Sequence, residues 1–338
     1  MNNFKKFTAA VLAAYLLFAG CGEASENTFP APVDEENTLI LYTSHKEEVY
    51  GPIVKEFEER TGIWVEVRSG GTTELLDAIA SEDKEGTCDV MFGGGVESYE
   101  AYSEYFESYE CAQKAMLDDT FQSKDGNWTV FSELPIVLIY NNKLVTEREA
   151  PRGWTDLLGG EWKGKIAFAN PGSSGTSCTA LATMCQILDL TPDELVTALC
   201  EQLDGTCSEN SKAVIDEVKE GTRLVGVTLE ETAIKAINQG ADLSIVYPVE
   251  GTSAVPDGCA LVKGAPHADN ARLFIDFTVS RDVQQVVEEQ FCRRSVRTDM
   301  QWEESKEQLN IIAFDLEWAS RNQSELLECW QEQITREK

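Results

Sequence analysis

The chain has 338 residues, with 28 Lys and Arg against 59 Asp and Glu and a formal net charge of -31. That length holds two compact lobes of ordinary size. The charge excludes nucleic acid as a partner, because neutralising a phosphate backbone takes Lys and Arg, and it favours a soluble protein in an exposed, solvated place.

At the N-terminus, Lys5 and Lys6 precede an apolar run from Val11 to Ala19. The run is too short to span a bilayer and suits a secretory h-region. It ends in Phe18-Ala19-Gly20-Cys21, which resembles the lipobox of bacterial lipoproteins, with Phe18 where Leu is usual. The resemblance implies a lipoprotein signal peptide over residues 1–20 and a lipidated Cys21 as mature N-terminus. An ordinary secretory signal cut at a small-residue site is the alternative. Residues 21–37 read as a polar, Pro-containing tether, so the folded body is expected to work at the outer face of a membrane.

From residue 38 the chain alternates strand and helix patterns. TLILYTS is a strand; Val49, Ile53 and Phe57 mark a helix face; IWVEVRS alternates as a strand; Leu75, Leu76 and Ile79 mark a helix; CDVMFGGG is a strand again. Right-handed crossovers assemble such a β-α-β-α-β order into a parallel sheet. Each strand runs into a polar or glycine loop: Ser44 and His45; Ser69, Gly70, Gly71 and Thr72; Gly93, Gly94 and Gly95. In open α/β sheets these carboxyl-end loops converge on the ligand crevice.

A second α/β block begins after LPIVLIYNNKL. Ile166–Ala169 reads as a short buried strand, Asn170, Pro171 and Gly172 break it, and Cys178, Leu181, Cys185 and Leu188 recur at helical spacing. Ser173, Ser174, Gly175, Thr176 and Ser177 therefore open a helix, where they either cap it or hydrogen-bond an anion at the positive end of the macrodipole. A serine nucleophile lacks the G-x-S-x-G elbow and a P-loop lacks its Lys. Ser211 heads SKAVIDEV as a further helix-terminal contact or an N-cap. Thr228 and Glu230 follow the strand RLVGV, with Glu230 an acceptor for hydroxyls or an amine or else a solvated carboxylate.

Beyond Cys21 there are nine cysteines. Cys178 and Cys185 lie two helical turns apart and cannot bond each other. Spacing leaves open Cys200 with Cys207, Cys88 with Cys111 and Cys259 with Cys292, as it leaves open mostly free thiols. No C-x-x-C pair occurs, so neither zinc nor another resident cofactor is expected.

The order of segments resembles the solute-binding proteins of bacterial ABC importers, in the group of ferric-ion, hexose-phosphate and aminoethylphosphonate binders. The matching stretches are LYTSHKEEVYGPIVKEFEERTGI, YNNKLV, GWTDLLGGEWKGKIAFANPGSSGTS, VGVTLEE and YPVEGTSAVPDGCALVKGAPHADNARLFIDF. The resemblance implies an α/β protein of the two-lobed type II periplasmic-binding-protein fold, with hinge strands and a central ligand cleft. Lobe one is expected over 38–138 and 252–338, lobe two over 139–251, with PIVLIYNN and VYPVEGTSAV as the crossing strands. It further implies a monomer that hands a small ligand to ABC permease and ATPase subunits.

Ferric binders of this group use a His, a carboxylate and two adjacent tyrosines. Here His45 matches the histidine, FGGGVES puts glycines at the carboxylate, and Tyr247 is followed by Pro248. A hard trivalent cation would lose most of its oxygen ligands. The expected ligand is a small phosphate- or phosphonate-bearing anion between the Ser69–Thr73 and Ser173–Ser177 helix ends, with His45 as a donor or a loop histidine; a ferric ion or ferric complex is the alternative. Catalysis is not expected, since no triad or paired-carboxylate motif accompanies His45, and His267 reads as a surface-loop residue. A sensor reusing the fold remains a rival reading.

Overall fold

The computed structural model describes residues 35–81, 88–120, 122–300 and 309–336. The expected signal peptide, Cys21 and residues 22–34 of the expected tether lie outside them. β1 (Thr38–Thr43) leads into α1 (Glu47–Thr61), whose buried Val49, Ile53 and Phe57 form one stripe. Burying such a stripe drives the helix onto the sheet, at about 1.5–3 kcal/mol per fully buried large side chain. Gly62 ends α1 in the left-handed conformation, at φ 74°. β2 (Trp64–Ser69), α2 (Thr72–Ala80) and β3 (Val90–Gly95) follow, with β2 and β3 parallel to β1 on either side. A short helix that the sequence pattern did not indicate, α3 (Val96–Ala101), starts directly after the glycines.

β4 (Thr129–Asn141) joins two halves of the molecule. Up to Pro135 it pairs antiparallel with β8 (Ala254–Leu261); from Ile136 it pairs with β6 (Val225–Leu229) and β7 (Leu243–Val246). The handover falls at a proline, which has no N–H to give to a ladder. With β5 (Ile166–Ala167), the sheet order is β2-β1-β3-β8-β4-β6-β5, and β7 and β9 (Arg294–Ser295) also pair with β4. Around it lie α4 (Trp154–Leu158), α5 (Gly175–Leu188), α6 (Pro192–Leu203), α7 (Ser211–Glu220), α8 (Glu230–Asn238), α9 (Ala268–Thr278), α10 (Arg281–Glu289) and α11 (Leu316–Arg336).

The core separates into apolar clusters. One gathers Leu39, Phe57, Phe92 and Phe274 around β1 and β3. Two others lie on opposite faces of the far half of β4: Leu138 packs with Leu181, Leu199 and Trp330, while Val137 and Ile139 pack with Val214 and Ala233. Strand alternation sends successive side chains to those opposite faces.

The C-terminal helix α11 was expected with the first lobe. Its Leu326 and Trp330 are instead buried in the cluster of α5 and α6. The chain therefore passes between the clusters a third time, through residues 309–315, beyond the two crossings expected. There Thr252 N–H donates to Asn310 O and Ile312 N–H to Thr252 O, each at 2.9 Å. Gly251, at φ 98°, makes room, since a Cβ would fall 2.8 Å from Ile312 Cγ2.

Among the described residues Cys88, Cys111, Cys178, Cys185, Cys259, Cys292 and Cys329 are free thiols, most of them buried. None of the described helices is long and apolar enough to cross a membrane.

Candidate functional site

The carboxyl ends of the first three strands meet as α/β geometry requires. Thr72 is the first residue of α2, after an extended Gly71 with no side-chain cap. Ser44, Thr72 and Gly94 come together: a Cβ on Gly94 would lie 2.6 Å from Thr72 Cγ2 and 3.4 Å from Ser44 Oγ. Gly93 and Gly94 have φ near +93° and +94°, so both conformation and space exclude a side chain. Gly70 donates its N–H to Thr43 O at 3.1 Å, and Ser69 and Gly71 are exposed. Gly95 is covered by the carboxyl of Glu97, which folds back over it.

His45 is not an open loop donor. It is 8% exposed, its ring packs edge-on to Phe92 at 4.5 Å and against Phe131 at 5.5 Å, and a Cβ on Gly93 would strike it. Its Nε2 lies 3.6 Å from Asp257 Oδ2 and has no hydrogen-bond partner. Burial, and then the Arg293 guanidinium, hold its pKa well below the usual histidine value, so the ring is neutral at neutral pH.

On the other side, Ser174 is the N-cap of α5, its Oγ accepting from Ser177 N–H at 3.2 Å. Ser173 Oγ donates to Asn170 O and Glu209 O. Gly175 is exposed, Thr176 half-buried and Ser177 buried. Ser174 Oγ also lies 2.8 Å from Ser211 Oγ, which joins the starts of α5 and α7. Ser211 is not the cap of α7: Asn210 is, accepting from Lys212 and Ala213 N–H. Asn210 has the better capping side chain and sits one residue earlier, where the backbone is still extended.

The starts of α2, α3 and α5 face one cavity of about 340 Å³. Thr73, Glu97 and Ser98 line it from one side, and Gly175, Cys178 and Thr179 from the other. Its described lining contains no Lys or Arg. Glu97 opens into it, and desolvation raises its pKa above the ordinary value, against the pull of its own N–H. Sequence reasoning missed Glu97 because α3 itself went unrecognised.

Thr228 and Glu230 lie elsewhere. Thr228 is buried on β6 opposite Val137. Glu230 is 2% exposed, accepts two hydrogen bonds of 2.7 Å from Arg294 and one from the Tyr247 hydroxyl. Arg293 beside it holds Asp257 at 2.6 Å. Sequence reading singled out Glu230 and Tyr247 but not their partners, whose signal is two adjacent arginines in a chain poor in basic residues. His267 is not a plain surface residue either: its Nδ1 lies 2.8 Å from Asp89 Oδ2.

A family model described as bacterial extracellular solute-binding protein matches residues 88–315. The chain belongs to that family. Its fold is that of the type II periplasmic binding proteins. Iron uptake protein A1 of Synechocystis is 25% identical, covering 81% of this chain and 80% of its own length. A putative 2-aminoethylphosphonate-binding periplasmic protein of Salmonella typhimurium is 24% identical over 72% of this chain and 73% of its own. Among solved structures, a two-component system protein that mediates signal transduction has a TM-score of 0.73 at 27% identity, covering 87% of this chain and 100% of the other. The periplasmic binding protein AfuA of Actinobacillus pleuropneumoniae, with fructose-6-phosphate bound, has a TM-score of 0.70 at 23% identity, covering 88% and 98%. The family comprises extracytoplasmic solute-binding components of ABC importers, which bind a small ligand for delivery to permease and ATPase, and not enzymes.

Proposed function

We propose that this solute-binding protein captures a small phosphate- or phosphonate-bearing anion in the cavity between α2 and α5. The observation that carries the reading is that Thr73 in the first turn of α2 and Gly175 at the start of α5 line the same cavity. Both helix ends present backbone N–H groups and the positive end of a dipole, and with no cation in the described lining the anion is held by neutral donors. Thr72, Ser174 and Thr176 carry hydroxyls at those ends, outside the cavity lining itself, and Ser211 at the start of α7 reaches Ser174 Oγ. Direct ferric binding is disfavoured by the placement of its retained donors: His45 is buried between Phe92 and Phe131, and the Tyr247 hydroxyl donates to Glu230. Among the described residues no three His, Cys, Asp or Glu side chains are placed to hold a metal ion.

The lobes in this reading are residues 38–135 with 254–300 and residues 136–251 with 309–336, which moves α11 to the second lobe. Cys21 anchors the protein through lipid, with the following residues as tether, and the protein acts as a monomer. A sensing role is the second reading, favoured by the 27% identity to the two-component system protein. Mass spectrometry of ligand co-purified from the native host, followed by thermal shift with sugar phosphates, phosphonates and ferric complexes, tests the ligand class. Stabilisation by ferric complexes alone would overturn it. Uptake of the identified ligand, lost on deleting the gene, separates transport from sensing.

A further inference from the structure

Two adjacent arginines before and in β9 meet two adjacent glutamates at the start of α8. Arg294 Nε and Nη2 each lie 2.7 Å from a Glu230 oxygen, a bidentate pair. Arg293 Nε lies 3.5 Å from Glu231 Oε1, while its Nη1 holds Asp257 at 2.6 Å. The four side chains of the Arg–Glu pairs are between 3% and 13% exposed. The arginines belong to the half built on β8 and the first part of β4, because Arg294 pairs with Glu133 across the ladder. The glutamates follow β6, whose Leu229 pairs with Ile136 just past the proline handover. The contact therefore bridges the two halves beside the strand about which they must turn.

We propose that Arg293–Arg294 and Glu230–Glu231 form an inter-lobe clasp whose positioning role is to fix the angle between the lobes. A buried bidentate pair tolerates little change in geometry, since displacement strands two desolvated charges, so it selects one lobe arrangement more sharply than an apolar contact of the same size. Asp257 ties the clasp to the cleft: it holds Arg293, stands 3.6 Å from His45, and accepts from the N–H and hydroxyl of Ser132 on β4. A more exposed ion pair also crosses here, Lys235 to Glu48 at 3.5 Å, and contributes little to the angle, while Lys235 itself holds Glu231 at 2.7 Å. The proposal rests on the two-lobe division above and not on the ligand being an anion.

The test uses ligand-free protein, so a wrong ligand class cannot mask the result. Spin labels on non-cysteine side chains replacing Lys55 on α1 and Lys212 on α7 report the spread of inter-lobe distances. Arg294→Met and Glu230→Gln should broaden that distribution, and Glu230→Met with Arg294→Met should broaden it with a melting temperature above that of Arg294→Met alone. Glu48→Gln, which removes only the exposed partner of Lys235, should leave it unchanged. The double variant removes both charges of the Glu230–Arg294 pair, so it leaves neither of them buried without the other and separates loss of the clasp from loss of folding, although Glu133 loses a nearby cation and the Tyr247 hydroxyl an acceptor. An unchanged distribution in the double variant, or equal broadening in Glu48→Gln, overturns the proposal.

Discussion

The hydroxyl oxygens of Ser174 and Ser211 lie 2.8 Å apart, although 37 residues separate them, and this contact joins the N-terminal ends of α5 and α7. Ser174 is thus a cap and a neighbour of the proposed anion site at once, while Thr176 in the same turn is half-buried and does not cap. Ser174→Ala is expected to lose about 1 kcal/mol of stability and also to weaken ligand binding. Thr176→Val is expected to keep the stability and weaken binding by about 1–3 kcal/mol, the range for hydrogen bonds to charged groups. Calorimetric titration and thermal melts on both variants check this, and unaltered affinity in both would place the ligand elsewhere.

His45 sets one limb of the pH dependence. Its folded pKa is held below the usual 6.5, chiefly by burial. Above that value the ring is neutral in both states and costs nothing; as pH falls through it, the unfolded chain takes up a proton that the folded protein refuses, and stability is lost. Melts between pH 7.5 and 5.5 should show an acid loss that His45→Gln reduces, and the ring NMR signals should remain those of neutral imidazole at pH 6.

Glu133 acts in the opposite direction. Burial, with Asp118 nearby, pushes its carboxyl up to about 7 although Arg294 pulls it down. Stability is fully present where both states are protonated, below the ordinary carboxylate pKa, and is lost as pH rises through that value to about 7. The loss is at most about 3 kcal/mol, reduced by the water that reaches this half-buried group. Glu133→Gln should raise the melting temperature at pH 8 and leave it nearly unchanged at pH 4.

Anchoring is tested apart from the fold. Cys21→Ser should release the protein from membranes in its own host, and mass spectrometry of the wild-type N-terminus should find a lipidated cysteine. A fully soluble, unlipidated wild type would remove the lipoprotein reading.

Read alone, the sequence determined what local periodicity and punctuation control. Val49, Ile53 and Phe57 define a helix face at any location, Gly62 ends that helix because only a residue free of a Cβ enters the left-handed region cheaply, and the Ser173–Ser177 cluster opens a helix wherever it sits. The order of such elements indicated α/β blocks, and the two-lobed binding protein came from the family resemblance of the segments. Tertiary structure decided what depends on residues far apart in the chain. Nothing near His45 announces that Phe92, Phe131 and Gly93 enclose it, so an apparent loop donor becomes a neutral buried ring. The amphipathic pattern of α11 requires a partner but does not name α5 and α6, because any apolar surface satisfies the same stripe. Likewise, a Glu-Glu and an Arg-Arg pair some sixty residues apart are ordinary solvated charges on paper. Only folding brings them together, where the cost of leaving either pair buried and unmatched fixes their partners.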